Sequence, residues 1–266
     1  MTVHERYADP AARLGVANDT IALQLAHRSV RRFTDRPVSD DELYAIVAAA
    51  QSAATSSNLQ AWSVVAVRDR ARKARLAELA GGQAFIDQAP LFLVWVADLS
   101  RARRLAARAG ARLDGADYLE STILGFVDTA LAAQNAVVAA ESLGLGTVFV
   151  GAIRNRPREV AAELGLPDHA VATFGLAVGT PDPTEDAGIK PRLPQDVVLH
   201  HEQYSDPAET DRLIEGYDAA LEAYNTRHGL TGGWSDRVVG RLAGPESLSG
   251  RDKLRDELAH LGWPSR

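Results

Sequence analysis

Apolar and polar positions recur along this chain in two periods, and the switches between them mark its elements. Residues 1–18 hold neither period and read as a loose arm. A helical pattern opens near Asp19 or Thr20, both good caps, and ends at the basic stretch HRSVRRF, residues 27–33. In PVSDDELYAIVAAAQSA, Ser39 and Glu42 have capping-box spacing, and Leu43, Ile46, Val47 and Ala50 share one helical face. A polar loop, TSSNLQ, follows. WSVVAVRD is mostly β-branched and predicts a strand over residues 62–68. RARKARLAELAGG predicts a helix stopped by Gly81 and Gly82, and LFLVWVAD a strand buried on both faces.

The longest helical signal is ADYLESTILGFVDTALAAQNAVVAAESLG. It is apolar around most of its circumference over residues 123–140, as expected of a helix buried in a core or an interface, and Gly144 supplies its stop. TVFVGAI then predicts a short strand, RPREVAAELGLP a helix and AVATFGLAVG a strand. TPDPTEDAGIKPRLP is a proline-punctuated loop, followed by a short VVLH strand and tail helices. Few short strands interleaved with helices predict an α/β or α+β fold, a small sheet around a long central helix.

Composition narrows the function classes. The 266 residues suffice for a large core, and 46% hydrophobic with 24% charged residues is ordinary for a soluble globular protein. No cysteine is present, which removes disulfides, thiolate metal sites and cysteine nucleophiles together and fits a reducing compartment. The first twenty residues carry charges and lack an apolar signal core, and no uninterrupted apolar run approaches about 18 residues, so a cytoplasmic protein without a membrane span is expected. A net charge of −6 argues against a nucleic-acid binder.

Several motifs lose their appeal on inspection. GLGTVFVG at residues 144–151 runs helix, glycine, strand, the reverse of a dinucleotide fingerprint, and reads as a helix stop. HHE at residues 200–202 would send its histidines to opposite faces of a strand, so no metal site is expected. RARRLAARAGAR at residues 101–112 is a basic helix without aromatics and reads as a solvated face. Three features remain. HRSVRR is either a solvated basic turn or a phosphate seat, since arginine forks suit phosphate oxygens. KPRLP at residues 190–194 sends Lys190 and Arg192 to one side of an extended segment, as converging cations or a solvated loop. TSSNLQ and GGQ (residues 81–83) are turns or hydrogen-bonding edges for a heteroaromatic ring.

Taken in order, HRSVRRFTDRPVS, TSSNLQAWS, LAGGQ, LGFVDTALAAQNAVVAAESLGLGTVFVGAIRN and IKPRLP resemble the oxygen-insensitive nitroreductase family, most closely its NADPH-dependent, FMN-containing nitro and flavin reductases of the nitroreductase A type. The resemblance runs from about residue 20 to about residue 205 and continues weakly through YNTRHG, WSDR and the terminal LGW. It implies an α+β nitroreductase-like fold: a small central mixed or antiparallel sheet, a long buried helix, and a swapped-tail homodimer with FMN at the subunit interface. It also implies an arm over residues 1–18, an FMN-binding domain over 19–205, and a helical extension of that domain over 206–266 carrying dimer and nucleotide contacts.

Residue by residue, His27, Arg28, Ser29 and Arg31 resemble the family's first FMN segment, and Lys190 and Arg192 its phosphate-binding pair. Gln83 matches a residue beside the flavin ring. Val150, Gly151 and Ala152 match the backbone near flavin N5. Thr55, Ser56, Ser57 and Gln60 match a loop reaching the flavin from the other subunit. Arg31 is expected to stabilise the negative charge of reduced flavin. The implied activity is NAD(P)H-dependent reduction of nitroaromatics, quinones or free flavin by ping-pong hydride transfer through flavin N5, with no catalytic side chain required. The same fold also admits a dedicated biosynthetic reductase, a reductive dehalogenase or a non-catalytic flavin binder. The loop after Arg227 and the residue at position 58 depart from the pattern. Arg227 stands where a cation meets the NADPH 2'-phosphate, but LTGGWSDR lacks further arginines, which leaves NADH less excluded. Asn58 stands where an aromatic can cover the substrate pocket.

Overall fold

The computed structural model describes residues 3–9 and 11–266. In chain order the elements are α1 (Val3–Tyr7), α2 (Asp19–Ala26), α3 (Asp40–Gln51), β1 (Trp62–Val67), α4 (Arg70–Leu79), α5 (Ala84–Gln88), β2 (Leu91–Asp98), α6 (Ser100–Arg108), α7 (Leu119–Ser142), β3 (Gly146–Val150), α8 (Pro157–Leu164), β4 (Ala170–Gly179), α9 (Gln195–Val198), α10 (Pro207–Arg227), α11 (Trp234–Leu242) and α12 (Leu254–His260). They form two compact units. The sheet unit comprises Ser29–Glu185 and Ser249–Arg266; the helical unit comprises the described residues up to Arg28 and Asp186–Leu248.

In the sheet unit the strands run in the order β1-β2-β4-β3, each pair antiparallel. All eight residues of β2 are buried, and alternation explains why both its faces are apolar. Leu91, Leu93 and Trp95 pack with Ile46 of α3 and Ala132, Ala133 and Ala136 of α7. Phe92 and Val94 pack with Leu76 of α4 and Val160 of α8. Each such fully buried side chain contributes about 1.5–3 kcal/mol relative to exposure. Close packing over β4 needs Gly175, since a Cβ there would stand 2.1 Å from Phe92 Cζ.

Local signals set most boundaries. The capping box of α3 forms as its spacing predicts: Glu42 N–H donates to Ser39 Oγ at 3.2 Å, and Ser39 N–H donates to Glu42 Oε2 at 2.8 Å. The cap of α2 lies one residue earlier than expected, at Asn18, whose Oδ1 accepts from Ile21 N–H at 2.9 Å. VVLH does not form a strand. Its first residues complete the single turn α9, opened by Pro194, whose carbonyl accepts from Val197 N–H at 3.0 Å; so short an apolar run expresses neither period. Within the stretch read as a loose arm, Val3–Tyr7 are helical and Arg6 is buried.

α7 buries one face on the sheet through Thr122, Gly125, Asp128, Thr129, Ala132, Ala133, Ala136, Val137 and Ala140. A second apolar stripe, Leu119, Ile123, Val127 and Leu131, is exposed at four-residue spacing. By length and mean hydropathy α7 is also apolar enough to cross a membrane, although 44% of that window is buried in this fold. In the helical unit, Tyr217, Leu221 and Asn225 line the buried side of α10. Asp218 caps α11, accepting from Trp234 N–H at 2.6 Å and Ser235 N–H at 2.8 Å.

Candidate functional site

The helical unit gathers four of the expected cations. At the C-terminus of α2 the chain leaves the helix at His27, and Arg28 Nη1 donates to Ala187 O at 3.1 Å. Residues 188–191 are tied to one side of α10: Tyr224 Oη donates to Gly188 O at 3.0 Å and Tyr217 Oη to Pro191 O at 3.1 Å. These tyrosines are two helical turns apart and so share a face. Lys190 Nζ stands 5.6 Å from the Tyr224 ring centroid, a cation–π contact. Pro191 is buried between half-buried Lys190 and exposed Arg192. The segments meet through a residue the sequence did not single out. Arg6 donates through Nη1 to Lys190 O at 3.0 Å and through Nη2 to His27 O. Arg227 is exposed in the last turn of α10. Its neighbour His228 packs against Tyr224 with the rings tilted by 42°, and faces Asp186 with Nδ1 3.4 Å from Oδ2.

The sheet unit holds the other expected residues. Ser29 forms a parallel bridge with Thr147, and Val30 N–H donates to Thr147 O at 2.9 Å. Arg31 is exposed, and its backbone N–H donates to the Glu185 carboxylate at 2.9 and 3.2 Å. Arg32 pairs with Asp182 at 3.3 Å. Gln83 caps α5 at the end of the double-glycine turn and is half-buried. Val150 ends β3, and Gly151 and Ala152 open a 3₁₀ turn, Gly151–Asn155. Beside them lies a cavity of about 530 Å³ lined by Val127, Leu131, Phe149, Gly151, Arg154 and Phe174.

The loop of Thr55, Ser56, Ser57 and Gln60 is held from two sides by groups that sequence reading missed. Asp128, buried on α7, accepts from Thr55 Oγ1 at 2.5 Å, Ser56 N–H at 3.1 Å and Ala61 N–H at 3.1 Å. Thr55 Oγ1 in turn accepts from Gln60 N–H at 2.9 Å. On the other side Arg101 donates to Gln60 O and Trp62 O, both at 2.7 Å, and to Asp98 Oδ2 at 3.0 Å. The basic helix is therefore more than a solvated face. Burial alone would raise the Asp98 pKa, but hydrogen bonds from Ser100 and Ser63 and the Arg101 charge outweigh it and hold the carboxyl below its usual range. These restraints keep a strained turn in place: Ser57, Asn58 and Gln60 have φ of 49°, 56° and 50°. The sequence signal for Asp128 was the lone charged residue over positions 121–140 of a largely apolar helix.

Taken separately, the donors of the helical unit suit a phosphate, and the cavity of the sheet unit suits a flat ring. Arg28, Lys190 and Arg192 carry the charge that a phosphate needs, with His27 beside them. The cavity wall is mostly apolar, as a flat ring requires. The first N–H groups of a 3₁₀ turn, here Gly151 and Ala152, lack partners within the turn and are available to a ring nitrogen. No cluster of three or more His, Asp or Glu able to hold a metal occurs among the described residues. His200 stacks on Tyr204 with ring centroids 4.0 Å apart, and its Nδ1 accepts from Ser205 N–H at 3.2 Å.

The chain was compared with known proteins. The Nitroreductase family model matches residues 25–180, and the model of the family's C-terminal domain matches residues 190–266. An oxygen-insensitive NADPH nitroreductase of Salmonella typhimurium is 41% identical over 253 residues, 93% of this chain and 99% of that protein. An FMN reductase [NAD(P)H] of Bacillus subtilis is 40% identical over 226 residues, 84% of this chain and 90% of that protein. The solved structure of B. megaterium NfrA2 superposes with a TM-score of 0.87 at 40% identity, covering 94% of this chain and all of that one. With both family models and close relatives spanning nearly its full length, the chain belongs to the nitroreductase family.

Proposed function

We propose that the protein is an FMN-dependent NAD(P)H oxidoreductase that reduces nitroaromatics, quinones or free flavin by two-electron, ping-pong transfer, and that it works as a homodimer in the cytoplasm. The observation that carries the reading is the convergence of His27 and Arg28 with Lys190 and Arg192 within one unit, residues far apart in sequence whose common chemistry is anion binding.

When bound, FMN supplies hydride acceptance and donation at N5, so the chain contributes binding and electrostatics. His27, Arg28, Lys190 and Arg192, with the Ser29 hydroxyl, meet the phosphate; each charge-assisted hydrogen bond contributes about 1.5–3 kcal/mol. Arg31 holds positive charge at the pyrimidine edge. Gln83 and the backbone of Val150, Gly151 and Ala152 serve the ring. Thr55, Ser56, Ser57 and Gln60 serve the ring of the partner's site, the turn being pre-set by Asp128 and Arg101. Arg227 is a single cation for the 2'-phosphate, so NADPH is the preferred donor and NADH an accepted one. The exposed α7 stripe, Leu119, Ile123, Val127 and Leu131, is the surface for the second copy. Functionally, residues 19–205 act as the FMN domain and 206–266 as its extension.

The test is colour and reduction. The purified protein is expected to be yellow and to bleach within seconds when mixed anaerobically with NADPH. Lys190→Ala combined with Arg192→Ala should lose FMN, while Arg112→Ala, an exposed residue paired with Asp114, should keep it. Arg101→Ala is unsuitable as a control because Arg101 holds the Gln60 carbonyl. A double variant that stays yellow removes the phosphate assignment. A flavin-loaded protein that neither nicotinamide reduces removes the enzyme reading.

A further inference from the structure

Arg6 lies ahead of both family matches, the first of which begins at residue 25, so neither match assigns it a role. It is nevertheless only 5% exposed, an unusual state for an arginine. Its guanidinium reaches two stretches of chain that are remote in sequence. Nε and Nη2 donate to Leu25 O at 2.9 and 2.7 Å, Nη2 also donates to His27 O, and Nη1 donates to Lys190 O at 3.0 Å. The backbone completes the tie, since Arg192 N–H donates to Arg6 O at 3.0 Å. One residue thus fixes the main chain at His27, Lys190 and Arg192, three of the five residues assigned above to the phosphate. Only a planar fork of five donors can hold carbonyls on both sides at once; a lysine ammonium offers three donors on one nitrogen.

From these contacts we propose that Arg6 is a positioning residue for the cofactor phosphate: the N-terminal helix α1 is a clamp that assembles the phosphate seat from its two halves. The proposal rests on the FMN reading above. Arg6 acts through other residues. By fixing the carbonyls behind His27 and Lys190 it orders both segments before the ligand arrives, which removes an ordering cost that binding would otherwise carry. It also adds a fixed positive charge behind the cations that face the anion. The N-terminal segment, outside the matched family core, thereby acquires a function tied to one end of the cofactor.

The experiment compares FMN with riboflavin, which has the same ring and ribityl chain and no phosphate. Full-length wild type, Arg6→Gln and Arg6→Lys are stripped of flavin and titrated with each ligand by quenching of flavin fluorescence. In both variants FMN should bind roughly tenfold more weakly, because the two phosphate-binding segments must then be ordered on binding, while riboflavin affinity stays the same. FMN release from the loaded variants should speed up by a similar factor. Equal weakening of both flavins would mean that Arg6 merely supports folding, and no change in either would mean that the clamp is idle; each result overturns the proposal. If the wild type itself binds riboflavin as tightly as FMN, the phosphate seat is wrong and the clamp falls with it.

Discussion

A single carboxylate decides the shape of the polar loop. Two backbone N–H groups and the Thr55 hydroxyl stabilise Asp128, all from the loop or the residue that follows it. Asp128→Asn replaces one acceptor oxygen by a donor and so sets an N–H against a backbone N–H or the Thr55 hydroxyl. Leaving buried donors unsatisfied costs about 1–3 kcal/mol. The expected outcome is a lower melting temperature together with faster amide exchange at Ser56 and Ala61 and little change at β2. Exchange that rises uniformly through the sheet would show that Asp128 supports the core instead of the loop. At this scale the sequence was legible where basic side chains cluster. Arg28, Lys190 and Arg192, with His27 beside Arg28, could be picked out because such short clusters are visible in a string of letters. Asp128, Arg101 and Arg6 could not, because their task is to hold backbone carbonyls and amides whose positions exist only after folding.

Elements were legible in proportion to the length of their pattern. The capping box of α3 and the twin glycines after α4 announced themselves, and β2 did so by an unbroken apolar run. α9 did not, since a proline-opened turn overrides four residues of apolar preference. α7 is the informative intermediate. Its pattern showed too much apolar surface for one face, and the structure divides that surface: small residues, with Gly125 against Trp263 and alanines against the sheet, are buried, while larger ones at positions 119, 123, 127 and 131 stay exposed. The exposed stripe is the reason to expect a second copy. Val127→Glu places a charge at its centre, where burial in an interface would leave the charge unpaired. Sedimentation should find a dimer for wild type and a monomer for the variant. A Val127→Glu protein that remains dimeric would move the interface away from α7.

At the scale of the whole molecule, acid stability has a predicted direction. The Glu163 carboxyl is drawn from 4.5 to about 2 by hydrogen bonds from Arg75 and, after them, Arg72, tying α4 to α8. Asp98, Asp117, Asp182 and Asp218 are all held below 3.8. A folded-state pKa below the unfolded one means stability that is complete above the unfolded value and is lost as pH falls through the folded one. Melting temperatures should therefore be level down to about pH 5 and then fall progressively toward pH 2. A melting temperature that rises on acidification would contradict these assignments. The sheet order has a further consequence, for the route to the native state. Its two central strands, β2 and β4, are separated in sequence by α6, α7, β3 and α8, so their pairing closes a long loop whose entropy must be lost before the core gains anything. α7, docked on the Leu91, Leu93 and Trp95 face of β2, shortens that search, as does α8 against Phe92 and Val94. Folding should therefore be slow for this size, with the docking of α7 on β2 preceding the arrival of β4.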